Sequence, residues 1–302
     1  MRLVTRPDLD GLACALMLTE SERFDEVVLV HPQEITDKTV EILPEDTLAN
    51  VPYHPSCGRW FDHHLITASN ETPPANFNGL HRVAPSAAQL VWEFVGEPER
   101  WRSMVEETNR FDSAQLSEND ILKPTGWILL GFTVDPRSGL HDRHGYFGWL
   151  LEQLAEASLE EILLQPEVQG RITTMFEHNE NFAWELMQRS RLLDNVVFTD
   201  FRGAEAPPVG NRFLIYTLFP EANVSVRAQF DKGKENVWVT AGHSIFDRSC
   251  NVSIGELMSD FGGGGHRGAG STRFPVLDAE LSILEILERL RQPVEAGAAG
   301  AS

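Results

Sequence analysis

The chain has 302 residues, too many for one small core and enough for two α/β-sized domains. Acidic residues outnumber basic ones by 45 to 25, a formal net charge of −20, so the basic footprint of a protein that grips long duplex nucleic acid is missing. No apolar run approaches the ~20 residues that span a bilayer, and Met1-Arg2-Leu3-Val4-Thr5 does not open a signal peptide. The expectation is a cytoplasmic protein with no membrane partner, whose three scattered cysteines, Cys14, Cys57 and Cys250, are reduced structural thiols.

Residues 2–5 read as a strand, 11–18 as a buried helix, 26–31 as a second strand, and 47–51 and 58–61 as two more. Helices follow over 85–95 and from about 97 to 109. This alternation predicts a parallel sheet covered on both faces. Residues 146–193 read as almost wholly helical with a break at Pro166. Strands are then expected at 195–201, 212–218, 223–230 and 236–241, with a loop over 204–210 and helices at 253–261 and 278–291. The expected fold is α/β: a parallel-sheet domain over 1–190, a linker at 191–205, a smaller α+β domain over 206–295, and a small-residue tail, 296–302, without order.

Asp8-Leu9-Asp10-Gly11 falls between the first strand and the first helix, at the sheet edge where open α/β folds bind ligands. Two carboxylates spaced i, i+2 on a turn can aim oxygens into one site, although aspartate is also a common helix N-cap. Asp62-His63-His64 ends the aromatic strand. Imidazole and carboxylate together suit manganese, iron, cobalt or zinc, and the bland reading is a solvated surface turn. Asp112, taken alone, is an ordinary loop aspartate.

Phe261-Gly-Gly-Gly-Gly-His266-Arg267-Gly-Ala-Gly270 is the most specific feature. Gly262 to Gly265 allow close backbone approach, and their N–H groups can form an anion-binding nest. His266 and Arg267 add charge; a flexible loop is the alternative. A dinucleotide fingerprint is rejected, because a helix-like segment precedes the run and a strand-like one follows. A P-loop is rejected because no Gly-Lys-Ser/Thr ends it.

Together these residues resemble the DHH family of phosphoesterases. Asp62-His63-His64 matches the motif that names it, Thr5-Arg-Pro-Asp-Leu-Asp-Gly11 resembles its first motif, and Asp112 falls where its fourth is expected, after a helix opening with Pro85-Ser86-Ala87. The glycine run with His266 resembles the G-G-G-H-x-x-A-A-G signature of the DHH-associated C-terminal domain. Residues 2–275 are covered, and the exopolyphosphatase-related subgroup looks closest. The resemblance implies a metal-bearing parallel-sheet domain and a substrate-binding C-terminal domain facing it across an inter-domain cleft. It implies one or two Mn2+ ions, with Mg2+, Co2+ or Zn2+ as alternatives, held by Asp8, Asp10, His63 and Asp112. Asp10, His63, His64 and Asp112 would be catalytic, and Asp62 a ligand or an orienting group. His64, Arg248, Gly263, Gly264, Gly265, His266 and Arg267 would bind substrate phosphate. The substrate would be a small phosphate-rich anion: a dinucleotide, short single-stranded nucleic acid, pyrophosphate or polyphosphate.

Two positions depart from the family pattern. Many members carry a metal-binding His where this chain has Val4, and the second motif's aspartate is either replaced by Asn50 or shifted to Asp46. These departures keep a second reading open: a catalytically impaired nucleotide- or phosphate-binding protein with an incomplete metal site. Nothing in the sequence specifies an oligomeric state.

Overall fold

The structure, a computed structural model, describes residues 1–66, 71–140 and 145–291. It separates into two compact units, Met1–Phe176 and Glu177–Ser302. The expected tail at 296–302 lies outside the described residues. No helix among them is long and apolar enough to cross a membrane.

The first unit is built on a five-stranded, all-parallel sheet in the order β2-β1-β3-β4-β5. Its strands are β1 (Arg2–Thr5), β2 (Glu26–Leu29), β3 (Thr47–Ala49), β4 (Arg59–Asp62) and β5 (Gly79–His81). Helix α1 (Leu9–Ser21) returns from β1 and is buried nearly throughout its first ten residues, so its Gly-Leu-Ala-Cys-Ala-Leu run is core rather than an amphipathic stripe. Short α2 (Pro32–Thr36) follows β2. Then come α3 (Ala87–Phe94), α4 (Arg102–Asp112), α5 (Glu118–Leu122), α6 (Gly126–Val134), α7 (Tyr146–Glu156), α8 (Leu159–Leu163) and α9 (Pro166–Arg189). One face of the sheet packs with α1, α3, α4, α6 and α7 around Phe61, Leu12, Met17, Val91 and Phe147. The other face carries Val4, Ile35, Leu48, Tyr53 and Trp60. Val4, at the family's histidine position, is therefore wholly apolar core.

The second unit holds a six-stranded mixed sheet in the order β10-β11-β9-β8-β7-β6. Its elements are β6 (Ser190–Leu193), β7 (Val196–Asp200), α10 (Leu214–Leu218), β8 (Val224–Phe230), β9 (Asn236–His243), α11 (Ile254–Ser259), β10 (Gly264–His266), β11 (Ala269–Pro275) and α12 (Ala279–Leu290). Only β7 and β8 pair in parallel. Helices α11 and α12 cover one face through Val226, Val239, Ala241, Met258, Ile283 and Ile286.

Three expectations fail here. Residues 190–193 are strand, not helix, and with β7 they turn the expected 191–205 linker into a hairpin of this sheet. The turn is Asp194-Asn195 with Asp194 at φ +55°, the left-handed conformation that two-residue hairpin loops demand. Residues 214–218 are helix, not strand. Asn211 Oδ1 accepts from Phe213 N and starts the turn, and Leu214 and Ile215 are buried side by side, which a half-buried strand would not allow. The glycine run is the third: Gly264–His266 is a strand paired with β11, not an open loop.

Candidate active site

The parallel sheet brings its chemistry to the carboxyl ends of β1, β3 and β4. Asp8 is the N-cap of α1, its Oδ1 accepting from Gly11 N at 2.9 Å. Gly11 has no alternative, because a Cβ there would lie 1.9 Å from Arg6 O. Asp8 also accepts from Asn50 Nδ2 at 2.9 Å and pairs with Arg6 Nε at 2.9 Å. Its carboxylate is thus engaged by three partners and stands outside the potential metal-binding groups below.

Asp10, in the first turn of α1, is 2% exposed. Its two oxygens accept from Ala87 N at 2.9 Å and Ala88 N at 2.7 Å, the unsatisfied amides at the start of α3. The segment before that helix also orients His63, whose Nδ1 lies 3.0 Å from Ala84 O. A carbonyl only accepts, so in the neutral ring the proton sits on Nδ1 and the lone pair on Nε2. Nε2 is buried and has no hydrogen-bond partner among the described residues. It lies 3.2 Å from Asp112 Oδ2 and 3.8 Å from Asp10 Oδ2. Ligand atoms of Asp10, His63 and Asp112 all fall within 4.8 Å of one another, as do those of Asp62, His63 and His64.

A buried imidazole lone pair facing two carboxylates is a poor arrangement for a bare protein and a good one for a divalent cation. The nitrogen–oxygen donor set therefore fits a transition metal. Burial, then the charges of Asp112 and Asp8, push the Asp10 pKa well above the ordinary carboxylate range, and burial raises that of Asp8 against the opposing charge of Arg6. An added cation would relieve both.

Asp62, at the end of β4, accepts from His63 N and from His64 Nδ1 at 2.8 Å. Burial alone would lower the His64 pKa. The hydrogen bond to Asp62 and the charges of Asp62, Asp112 and Asp10 outweigh it and push the value up to about 9. His64 is therefore an imidazolium at neutral pH, beside the cluster and half exposed. Asp112 is the last residue of α4 rather than a loop residue.

Between Asp46 and Asn50, position decides. Asp46 precedes β3, at the opposite end of the strand from the cluster, and is held by Arg2 and Leu43 N. Asn50 follows β3 beside Asp8, in the left-handed region at φ +58°, which asparagine tolerates better than most residues. Sequence reasoning did not single out Arg6 or Arg137. Arg6 pairs with Asp8, and Arg137 pairs with Asp135 at 2.8 Å while feeling the charges of Asp8 and Asp112. Arg6 lies inside the first motif and was legible. Arg137 reaches the site through the turn after α6, which leaves no local signal.

In the second unit the glycine run is not a nest. A nest needs successive left- and right-handed turns, whereas Gly264–His266 is an edge strand paired with β11. Two of the four consecutive glycines are set by packing. A Cβ at Gly263 would lie 2.1 Å from Ser271 O, and one at Gly265 would lie 2.3 Å from Ala269 O. Gly264 differs: a Cβ there meets nothing within 4 Å. The pairing puts Gly264 in one cross-strand row with Ser271, Thr240 and Arg227, and His266 in the next with Ala269, Gly242 and Ser225. Both rows lie on the sheet face opposite α11 and α12. His266 Nδ1 accepts from Gly268 N at 3.2 Å, and Arg267 sits at the exposed hairpin tip. Arg248 turns back on its own loop toward Ile245 O.

No protein-family model matches the sequence, and no curated protein matches it. Among solved structures, a pGpG-specific phosphodiesterase, PggH from Vibrio cholerae, is 36% identical, with a TM-score of 0.82 over 96% of this chain and 98% of that one. The chain belongs to the DHH family of phosphoesterases. RecJ from Thermus thermophilus, solved with Mn2+, shares the fold at 12% identity and a TM-score of 0.59; the match covers 96% of this chain and 52% of RecJ. An exonuclease RecJ bound to manganese matches at 13% identity and a TM-score of 0.52, over 97% of this chain and 91% of that one. As a DHH protein the chain is a hydrolase of phosphoesters, and Asp62-His63-His64 is its DHH motif.

Proposed function

We propose that this chain is a metal-dependent phosphodiesterase that hydrolyses a linear dinucleotide to two mononucleotides, with pGpG the first candidate. The observation that carries the reading is the buried, unpartnered Nε2 of His63 between Asp10 and Asp112. The kinship to a pGpG-specific enzyme supports the substrate class.

Asp10, His63 and Asp112 would hold a divalent ion, and Mn2+ is the first choice because the RecJ structures of this fold carry it. When bound, such an ion lowers the pKa of a water and takes up charge on phosphoryl oxygens. Asp8 fixes the turn that aims Asp10, and its charge, which acts on Asp10, would add to the attraction for a cation. Asp62 holds His64 as a cation, which would contact a non-bridging phosphate oxygen. In the second unit His266 and Arg267 would hold substrate phosphate, and Gly264 would let it approach the backbone.

The test is turnover with Mn2+ on pGpG, other dinucleotides, cyclic dinucleotides, short RNA, pyrophosphate and polyphosphate. Linear dinucleotides should be cleaved and a chelator should stop the reaction. Release of phosphate from pyrophosphate or polyphosphate, with dinucleotides untouched, would overturn the substrate assignment.

Asn50 favours the second reading, an impaired phosphate-binding protein, because an amide stands where the family has a carboxylate. The variant Asn50→Asp tests it. A silent wild type that gains Mn2+-dependent activity from this change would be an impaired enzyme. An active wild type removes that reading.

A further inference from the structure

The edge of the parallel sheet that carries the metal-binding cluster also carries a pocket of about 230 Å³. Asp62 and His64 belong to both, and Asn50, hydrogen-bonded to Asp8, also lines the pocket, so a ligand on the cluster can extend into it. Its volume is below the roughly 300–1,000 Å³ of sites that enclose drug-sized ligands. It suits one flat ring system rather than a whole nucleotide.

The walls agree. Tyr53 and Trp60 line the pocket and are themselves buried. The Trp60 ring is fixed by Tyr53 at 5.2 Å, Phe77 at 5.5 Å and a stacked His81 at 4.6 Å. Its Nε1 donates to Val51 O at 2.8 Å, so the indole brings no free donor to the pocket and serves as its rigid base. Leu65 and Ile66, directly after the DHH motif, are exposed and also line it. A rigid aromatic wall with an exposed aliphatic edge is suited to a planar base.

The polar lining discriminates among bases. Asp62 is engaged by His63 N and His64. Glu71 is the other carboxylate of the lining, tied at 3.1 Å to Lys38 through one oxygen. A carboxylate only accepts. Guanine presents two adjacent N–H donors, N1–H and the N2 amino group, to such a group in a bidentate, charge-assisted pair. Adenine places an acceptor at N1.

We propose that this pocket takes a guanine base of the dinucleotide and that Glu71 is the residue that selects it. The proposal rests on the phosphodiesterase reading for its substrate and is testable apart from it. Calorimetric titration of the full chain with GMP and AMP measures base preference without turnover. GMP should bind more tightly. Glu71→Gln should weaken GMP by about 10-fold or more, the scale of one charge-assisted hydrogen bond, and leave AMP unchanged. Leu65→Trp, at an exposed position that does not endanger folding, should narrow the pocket and weaken both. In turnover with Mn2+, Glu71→Gln should raise KM for pGpG and leave bis-p-nitrophenyl phosphate, which has no base, unaffected. Equal binding of GMP and AMP, or an intact guanine preference in Glu71→Gln, overturns the pocket assignment. A guanine preference in a protein that cleaves neither substrate leaves the pocket standing and removes the phosphodiesterase reading.

Discussion

At the end of β4 the chain crowds side chains together; at β10 it removes them. In the first corner, Asp10, His63 and Asp112 are forced within 4.8 Å at a cost in electrostatics, visible in the raised Asp10 pKa. In the second, Gly263 and Gly265 exist because backbones meet there at distances that exclude any Cβ. One motif is a set of functional groups, the other chiefly a set of vacancies in space. The contrast teaches that a glycine signature must be divided, position by position, into residues that packing requires and residues that a ligand requires.

The largest effect expected from that division is on stability. Gly265→Ala places a Cβ 2.3 Å from Ala269 O at φ +153°. Backbone strain and overpacking, about 1–3 kcal/mol each, should together cost roughly 2–6 kcal/mol. Denaturant unfolding of the second unit measures it. A loss below about 1 kcal/mol would mean that the hairpin yields and that the close approach is not what demands glycine there.

His63→Ala breaks the other side of the comparison. Removing a neighbour of a metal ligand already costs about 10- to 100-fold, so removing the proposed ligand should lower activity by at least about 100-fold and strip the metal. Elemental analysis and turnover check both. A variant that keeps its metal would move the ion to other groups.

Metal and pH together sharpen the electrostatic side. The folded-state pKa values of Asp8 and Asp10 are raised, by burial first and neighbouring carboxylates next. Their contribution to stability is therefore complete below the unfolded value near 3.8 and is lost as pH rises through the raised folded values. His64 adds the same sign higher up: its contribution is complete below 6.5 and lost as pH approaches about 9. Metal-free protein should weaken as pH rises, and Mn2+ should offset the loss at the carboxylates. At 100 times Kd the ion contributes about 2.7 kcal/mol, or about 5–10 °C in Tm for a unit of this size. The gap in Tm between Mn2+ and chelator should widen with pH. A gap that narrows would contradict the ligand set.

Much of this was legible in the sequence, for reasons that differ between regions. Asp62-His63-His64 and Asp10 announced themselves because their chemistry is carried by residue type at strand ends. The partners that fix them did not. The amides of Ala87 and Ala88 on Asp10, and Ala84 O on His63, are backbone groups brought in from more than 20 residues away, and no residue type signals them. Helix α6, Gly-Trp-Ile-Leu-Leu-Gly-Phe-Thr-Val, escaped because it is largely apolar all round, so it shows no helical period. Strand β5 is three residues long and was too short to register. The hairpin at 190–200 was readable from Asp194-Asn195, but the strong helical pattern running up to Arg189 masked it.

The smallest stability effect separates packing from ligand within the glycine strand itself. A Cβ at Gly264 meets no atom within 4 Å, and its φ is not in the left-handed region. Gly264→Ala should therefore change stability by no more than about 0.5 kcal/mol, the usual range for a surface substitution. If substrate phosphate approaches that backbone, the same methyl group should raise KM. His266→Ala, in the adjacent row, should lower kcat/KM by about 10- to 150-fold, one charge-assisted hydrogen bond of about 1.5–3 kcal/mol, with metal content intact. The two variants are read together by unfolding, metal analysis and turnover. Full activity in both would leave β10 with a purely architectural role. Loss of metal in His266→Ala would place His266 among the ligands. Loss of activity in both, at unchanged stability and metal content, is the result expected if Gly264 and His266 serve the substrate while Gly263 and Gly265 serve the fold.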